Sequence, residues 1–410
     1  MKSAGAFRDT KLLFWMGSLS VLVASGLYGG YIVVTQGLGV TGLSNSVVWG
    51  VWIAADLSFI SLSAGAFAVS ALIYVFRLGR FRPVARAAVF VGLIGYTLTM
   101  LTLVLDIGRP DRFWYPLLYW NNSSVLLEIF WCVSLYAAVL VGEFAPTVTE
   151  AGRLGRSRVF SSITRGLKWA MPGLAAAGVV FSTLHQSSLG ALYGVLIARP
   201  LWNSALMPLL FLLSAIPAGL SMTILATVVT SRFMHREVVP RSVLSDLGKV
   251  VGASLLIYIG LYVWNYYIER SSATTALLLA ALSHTPYPYL SLGLELGVGA
   301  IAPAAILLVP RLRRSGKALT MAAAMVVVGL VADRWDVTMM GQLVSDAPPL
   351  NYIDGGSMPT FGIHLASYIP TWPEWVTVLG AVALGLLMFT VGVRYFKIFA
   401  PQVPAAEAAP

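Results

Sequence analysis

Ten stretches of this chain are long and apolar enough to cross a bilayer, with few charges between their ends. They run roughly over 13–35, 50–76, 84–106, 123–144, 168–190, 205–231, 249–268, 288–310, 318–338 and 374–396. A spanning helix needs about 20 mostly apolar residues. Buried core helices can be equally apolar, but a soluble domain carries roughly a quarter charged residues. This chain of 410 residues has 58% apolar and only 11% charged. The expected fold class is all-α integral membrane, with ten transmembrane helices. Disordered and fibrous classes are excluded by the same numbers.

The basic residues set the orientation. Lys2, Arg8 and Lys11 precede the first stretch. Arg77, Arg80, Arg82 and Arg86 follow the second, and Arg153, Arg156, Arg158, Arg165 and Lys168 follow the fourth. Arg232, Arg236, Arg241 and Lys249 follow the sixth, Arg311, Arg313, Arg314 and Lys317 the eighth, and Arg394 and Lys397 the last. Only Arg109, Arg112, Arg199, Arg270 and Arg334 fall on the other side. Cytoplasmic connections hold the excess of Lys and Arg, so both termini are expected in the cytoplasm. The net charge of +10 thereby reflects membrane orientation, and no nucleic-acid partner is expected. The apolar run from Leu12 to Val34 exceeds a signal-peptide core and is expected to stay as an anchor. Val403 to Pro410 is Ala/Pro-rich and expected to be disordered.

The single cysteine, Cys132, excludes a disulfide framework, iron–sulfur ligation, a Cys-rich zinc site and covalent haem c, each needing at least two thiols. Any redox centre must come from a partner or a diffusible carrier. Only His185 among the four histidines lies inside a stretch, His235, His284 and His364 being in connections. A bis-histidine haem is therefore not expected, nor a metal site. Gly37, Gly39 and Gly42 spell G-x-G-x-x-G, but no strand precedes them and no acid follows at the required spacing, so a dinucleotide site is not expected.

Ionisable groups at membrane depth are costly and mark function by default. At about 1.5 Å per residue, Asp56 lies roughly 9 Å below the outer end of its helix, and Glu128 and His185 about 7 Å below theirs. Asp106 closes the third stretch at the same face. Trp49, Trp52, Asp56 and Ser63 share a helical face, as do Ser124, Glu128, Trp131 and Cys132, while Ser182, His185, Gln186 and Ser188 cluster on the fifth. Aromatic walls with a few convergent polar groups suit a small planar ligand. A quinone asks for a donor at each carbonyl and a proton for each oxygen. The bland reading is interhelical hydrogen bonding at His185 and helix-end charge at Asp56 and Glu128.

Two outer connections add to this layer. Residues 107–122 read IGRPDRFWYPLLYWNN, and residues 339–373 carry Asp346, Tyr352, Asp354, His364 and Tyr368. They fit either an aromatic interface belt or a docking platform for a peripheral partner. The second quartet of stretches repeats the first faintly. Glu295 matches Glu128 in depth, and Glu269 with Arg270 matches Asp106 with Arg109. Proton transfer is expected through Asp106, Arg109, Glu128, Glu143, Glu295 and Asp333. Glu128 and Glu143 are about 22 Å apart along their helix, so waters would have to join them.

The segments VVWGVWIAADL (47–57), LDIGRPDRFWYPLLYWNNSSVLLE (105–128), STLHQSSLGALY (182–193) and YIPTWPEWVTVLG (368–380) resemble the NrfD/polysulfide-reductase membrane-subunit family. The branch they resemble most is HybB, the hydrogenase-2-type membrane subunit. The resemblance covers roughly 45–400. It implies two four-helix bundles plus peripheral first and last helices, and no haem or metal. It also implies a quinone (menaquinone or ubiquinone) bound near the outer face, beside a docked ferredoxin-like iron–sulfur subunit. A catalytic subunit would complete the complex: a nickel–iron hydrogenase in this branch, a molybdopterin enzyme or multihaem cytochrome elsewhere. Pro110 to Pro116 departs from that branch toward general NrfD proteins, which leaves the catalytic partner open.

The expected organisation is an N-terminal anchor helix and outer loop (1–45), a first bundle with the quinone site (46–195), a second bundle (196–340), an outer loop with the last helix (341–400) and a tail (401–410). The expected function is a quinone-reactive membrane subunit of a respiratory oxidoreductase complex in the bacterial inner membrane, with proton translocation as an added capacity. The quinone site is assigned to Trp52, Asp56, Glu128, His185 and Gln186, and no catalytic residue acts alone. The alternatives are a proton-coupled transporter and a pure membrane anchor.

Overall fold

A computed structural model describes residues 10–151, 157–345, 364–396 and 398–399. Lys2, Arg8, Arg153, Arg156, Asp346, Tyr352, Asp354, Lys397, the tail and the side chain of His364 lie outside the described residues. Ten helices long and apolar enough to span a membrane are present: α1 Thr10–Gln36, α2 Val51–Val75, α3 Gly79–Asp106, α4 Val125–Glu150, α5 Arg158–Gly194, α6 Met207–Phe233, α7 Arg241–Arg270, α8 Tyr289–Leu308, α9 Gly316–Leu343 and α10 Trp372–Tyr395. A shorter apolar helix, Ala273–Leu282, joins α7 to α8. The chain is a multi-pass integral membrane protein. Some helices, α5 above all, outrun their apolar stretches because polar residues continue them into the interface. The 37 residues of α5 extend about 55 Å, against a hydrocarbon core of about 30 Å.

Helices α2 to α5 pack as one bundle and α6 to α9 as a second, with α10 laid on α3 and α2 and with α1 outside it. In a membrane, helices associate by close packing of small residues. A Cβ built on Gly26 of α1 would lie 2.7 Å from the Gly380 Cα of α10. Gly65 of α2 and Gly219 of α6 approach so closely that a Cβ on either would strike the other's backbone. That contact joins the two bundles at their backbones.

Toward the face opposite the basic connections, an aromatic stack seals the same seam. Trp49 stacks on Trp202 at 5.5 Å, Tyr193 meets Trp202 edge-on at 5.0 Å, and Phe211 stacks on Tyr193 at 5.6 Å. Two buried side chains then fix where α2 starts. Gln342 accepts the Val48 and Trp49 amides at 2.8 and 2.9 Å and donates to the Trp49 carbonyl at 2.8 Å. Glu374 accepts the Gly42 amide at 2.7 Å and the Tyr368 hydroxyl at 2.5 Å, while that hydroxyl accepts the Val51 amide at 2.9 Å. The glycines of 37–42 therefore belong to an anchored loop between two spanning helices. A two-residue antiparallel pair, Val344–Ser345 with His364–Leu365, closes off α9.

Candidate functional site

The polar residues of the first bundle form two groups. The outer group surrounds a hollow of about 480 Å³ where the 107–122 connection meets α4, lined among others by Trp120, Ser124, Glu128 and Trp131. Trp120 and Trp131 meet edge to face at 5.6 Å. Glu128 is exposed here, and its Oε1 accepts the Ser188 hydroxyl of α5 at 2.6 Å. The Trp131 indole N–H is buried and has no hydrogen-bond partner. The residue lines the hollow together with the Glu128 carboxylate, and its N–H is buried at that wall.

The deeper group is fully enclosed. His185 and Gln186 are 0% exposed and Asp56 4%. His185 Nδ1 shares a 2.7 Å hydrogen bond with the Tyr96 hydroxyl of α3, and the Tyr96 ring meets Tyr136 of α4 edge-on at 4.9 Å. Gln186 Nε2 donates to the Ile60 carbonyl at 3.3 Å. Thr102 donates a short hydrogen bond to Asp56 Oδ1. Each leaves a buried atom unpartnered: His185 Nε2, Gln186 Oε1 and Asp56 Oδ2, joined by Ser182 Oγ, the Tyr136 hydroxyl and Asp106 Oδ1. Buried polar atoms are nearly always satisfied by protein or ordered water. Six such atoms in one bundle are therefore a departure that calls for ordered water.

Several expected groupings change. His185 sits nine residues from the end of α5, about 13 Å deep, while Glu128 is three residues into α4, about 5 Å deep. These depths are counted from ends at different heights, since α5 continues to Gly194 rather than stopping near 190. Ser188, one turn above His185, bonds Glu128, which puts His185 about 4.5 Å below Glu128. The Trp52 indole donates to Thr377 of α10 at 2.7 Å, so it serves helix packing and faces away from the hollow. Trp49 belongs to the stack at the seam, which splits the stripe expected on α2. Arg109 turns to Asp111, with 3.0 and 2.9 Å bonds, and not to Asp106. It holds the Asp111 carboxyl below the ordinary carboxylate range. Glu143 lies toward the basic end of α4, between half-buried and buried neighbours.

Glu295 and Asp333 lie apart from both groups, in a cavity of about 470 Å³ in the second bundle. The Tyr258 hydroxyl donates to Glu295 at 2.8 Å and lies 3.5 Å from Asp333. The expected match of Glu295 with Glu128 does not hold, since Glu128 is at a mouth and Glu295 is 3% exposed. Arg334, counted above as an outer charge, is 1% exposed. Its guanidinium pairs closely with Asp333, donates to Ser61 of α2 at 3.1 Å and to Ser214 of α6 at 2.8 Å, and covers the Phe211 ring at 4.1 Å. Asp336, also overlooked, is 5% exposed with one unpartnered oxygen. Both lie inside the 318–338 stretch near its outer end, and only the course of α9 to Leu343 shows that they are buried in the protein and not at the interface.

Among the described residues no group of three or more His, Cys, Asp or Glu is placed to hold a metal ion. His185 is the one histidine within the described spans, so the residues do not fit a haem held by two imidazoles.

The chain matches relatives over nearly its whole length. It is 32% identical to the integral membrane subunit of menaquinone reductase from Nitratidesulfovibrio vulgaris, over 96% of this chain and 93% of that one. It is 28% identical to the integral membrane subunit of an Hdr-like menaquinol oxidoreductase from Archaeoglobus fulgidus, over 93% and 92%. It is 30% identical to the probable Ni/Fe-hydrogenase 2 b-type cytochrome subunit of Escherichia coli, over 89% and 87%. The family model described as polysulphide reductase, NrfD, matches residues 39–346, which take in α2 through α9 and both polar groups of the first bundle, and the chain belongs to that family.

Proposed function

We propose that this chain is the quinone-reactive membrane subunit of a respiratory oxidoreductase complex, and that the quinone ring binds in the hollow at the start of α4. The observation that carries this is one hollow walled by the Trp120 and Trp131 rings and holding the Glu128 carboxylate, with the unpartnered Trp131 indole N–H buried at its wall. The indole offers the hydrogen bond that one quinone carbonyl needs. Glu128 is placed to hand over or accept a proton at the ring oxygen. Two relatives are named for menaquinone or menaquinol chemistry, which supports that class of ligand.

Behind the hollow, Ser188 hands Glu128 a hydrogen bond. His185 lies three residues further down the same helix, on the same face, and continues to Tyr96. In this reading His185, Gln186 and Asp56 hold ordered water that resupplies protons to Glu128. Asp106 connects that water to the outer surface, and Glu143 is a second proton source from the basic side. Glu295 and Asp333 have no part in it, because they line a separate cavity. An iron–sulfur protein docked on the 107–122 platform would exchange electrons with the ring, and a catalytic subunit, hydrogenase-like or related, would complete the complex. The charge asymmetry supports an orientation with both termini cytoplasmic, and the membrane proposed for it is the bacterial inner membrane.

The test is Glu128→Gln and His185→Ala in the assembled complex. Quinone turnover is expected to fall by roughly 10²-fold or more, while the partner still reduces a soluble dye. Unchanged turnover in both variants would leave the chain as an anchor.

A further inference from the structure

The second-bundle cavity has a chemistry of its own. Its wall is mainly tyrosine, leucine and methionine, yet Glu269, Glu295, Asp333 and Asp336 all face it. Two cations line it. Arg334 is committed to Asp333, Ser61 and Ser214, and Arg270 at the rim donates to the Tyr266 hydroxyl at 3.0 Å. Glu295 accepts the Tyr258 hydroxyl at 2.8 Å and also meets the Asp333 carboxyl, and Glu269 accepts the Asn265 amide at 2.5 Å. Asp336, 5% exposed, keeps a buried oxygen without a partner.

The backbone is shaped around this excess of acid. Residues Tyr289–Ile301 of α8 form a π-helix of 13 residues, whereas π segments are mostly single turns and recur at functional sites. Below Glu295 the space shrinks to a void of about 20 Å³ among Gly299, Val326 and Leu330, so the cavity narrows toward the basic face. Leu292 on its wall is exposed and lies about 5 Å below the start of α8, at interface depth.

We propose that this cavity binds a lipophilic organic cation, its charge held between Glu295 and Asp336 and its apolar body packed against Tyr262, Tyr287, Leu279 and Met340. A buried carboxylate without a countercharge is costly, and aromatic faces attract cations. An inorganic ion would fill a small fraction of the volume and leave the apolar wall wet. A neutral quinone would turn its carbonyl acceptors toward carboxylate acceptors. The site is independent of the quinone reading and is tested without quinone.

The probe is tetraphenylphosphonium, measured by equilibrium dialysis on the full chain in detergent. Saturable binding near one per chain is expected, weakened at least tenfold in the double variant Glu295→Gln/Asp336→Asn. Leu279→Trp, which fills the cavity and leaves the acids in place, is expected to block binding too. Glu128→Gln should leave it unchanged. Thermal unfolding of each variant shows whether it remains folded. Triphenylphosphine oxide, neutral and of similar shape, should bind at least tenfold more weakly than the cation. Equal binding of the neutral probe, unchanged binding in the folded double variant, or no saturable binding to the wild type would each overturn the proposal.

Discussion

The two bundles handle buried polarity in opposite ways. In the first, the interior is closed and dominated by neutral hydrogen-bonding groups, Tyr96, Tyr136, Ser182, His185 and Gln186, with Asp56 as its one fully buried acid. The unpartnered atoms are many and each is small. In the second, the interior is an open cavity with several acids and a fully buried arginine. A closed polar interior can pass protons through a few waters while keeping its shape. A wide acidic cavity instead has room for a ligand and depends on Arg334 for electrostatic balance. The same helical scaffold thus gives one region suited to relay and another suited to binding.

Breaking that balance should produce the largest effect. Removing one partner of a buried ion pair strands the other and costs about 3–5 kcal/mol. Arg334→Leu is expected to lower the thermal unfolding midpoint in detergent sharply, since Asp333 loses its countercharge and Ser61 and Ser214 lose a donor. Adding Asp333→Asn should recover part of the loss. If Arg334→Leu alone unfolded at the wild-type temperature, the second bundle would not rest on charge pairing, and the contrast between the bundles would fail.

The first bundle should respond more mildly. Tyr96→Phe deletes one neutral hydrogen bond and leaves His185 Nδ1 buried without a partner. The expected cost is about 1–3 kcal/mol, with the fold retained. A loss as large as that of Arg334→Leu would mean the two interiors are built alike.

The architecture was legible because a spanning helix must be apolar for its whole length, and all ten stretches are present. The depth of the site residues was harder to read. Apolar runs mark the hydrocarbon core and not the helix ends, so α5 and α9 extend beyond them. Helix ends therefore stand at different heights, and Arg334, inside its apolar run, is buried by packing against Ser61, Ser214 and Phe211. Helical faces were legible as spacing, but a face can meet two neighbours. Trp52 and Asp56 are one turn apart, yet one bonds to α10 and the other to α3. Nothing local to Asp106 or Arg109 showed that the arginine would close on Asp111 through a 3₁₀ turn at Pro110–Arg112. The cavity around Glu295 depends on the π-helical course of α8, for which the sequence carries no spacing signal.

Trp131→Phe probes the hollow without touching a charge. The ring wall is kept and the free indole donor is lost. A hydrogen bond of about 1–1.5 kcal/mol corresponds to roughly tenfold. The expected outcome is a KM for quinone raised about tenfold with kcat nearly unchanged. A fall in kcat at constant KM would place the donor in the transition state only, and shift the ring deeper toward His185.

The smallest effect concerns the mouths of the two regions. In the 107–122 connection, whose far end borders the hollow at Trp120, Arg109 is bound to Asp111, and Arg112 lies 3.9 Å from the same carboxylate. These side chains are largely exposed, so solvent screens the pair and its worth is small. Its pH dependence still has a definite sign. The Asp111 carboxyl is held below its ordinary value, chiefly by the hydrogen bond from Arg109. The folded loop therefore binds this proton less readily than the unfolded chain does. The contribution of the pair is fully present above the ordinary aspartate range and is lost as pH falls through the lowered folded value. At the rim of the second cavity, Arg270 is bonded to a hydroxyl, so acid breaks no ion pair there. Hydrogen exchange measured across the acid range should show amides of 109–113 losing protection while those near 266–270 hold theirs. Asp111→Asn should flatten the first response. A loop that stays protected in acid would mean that the turn, and not the ion pair, shapes this connection.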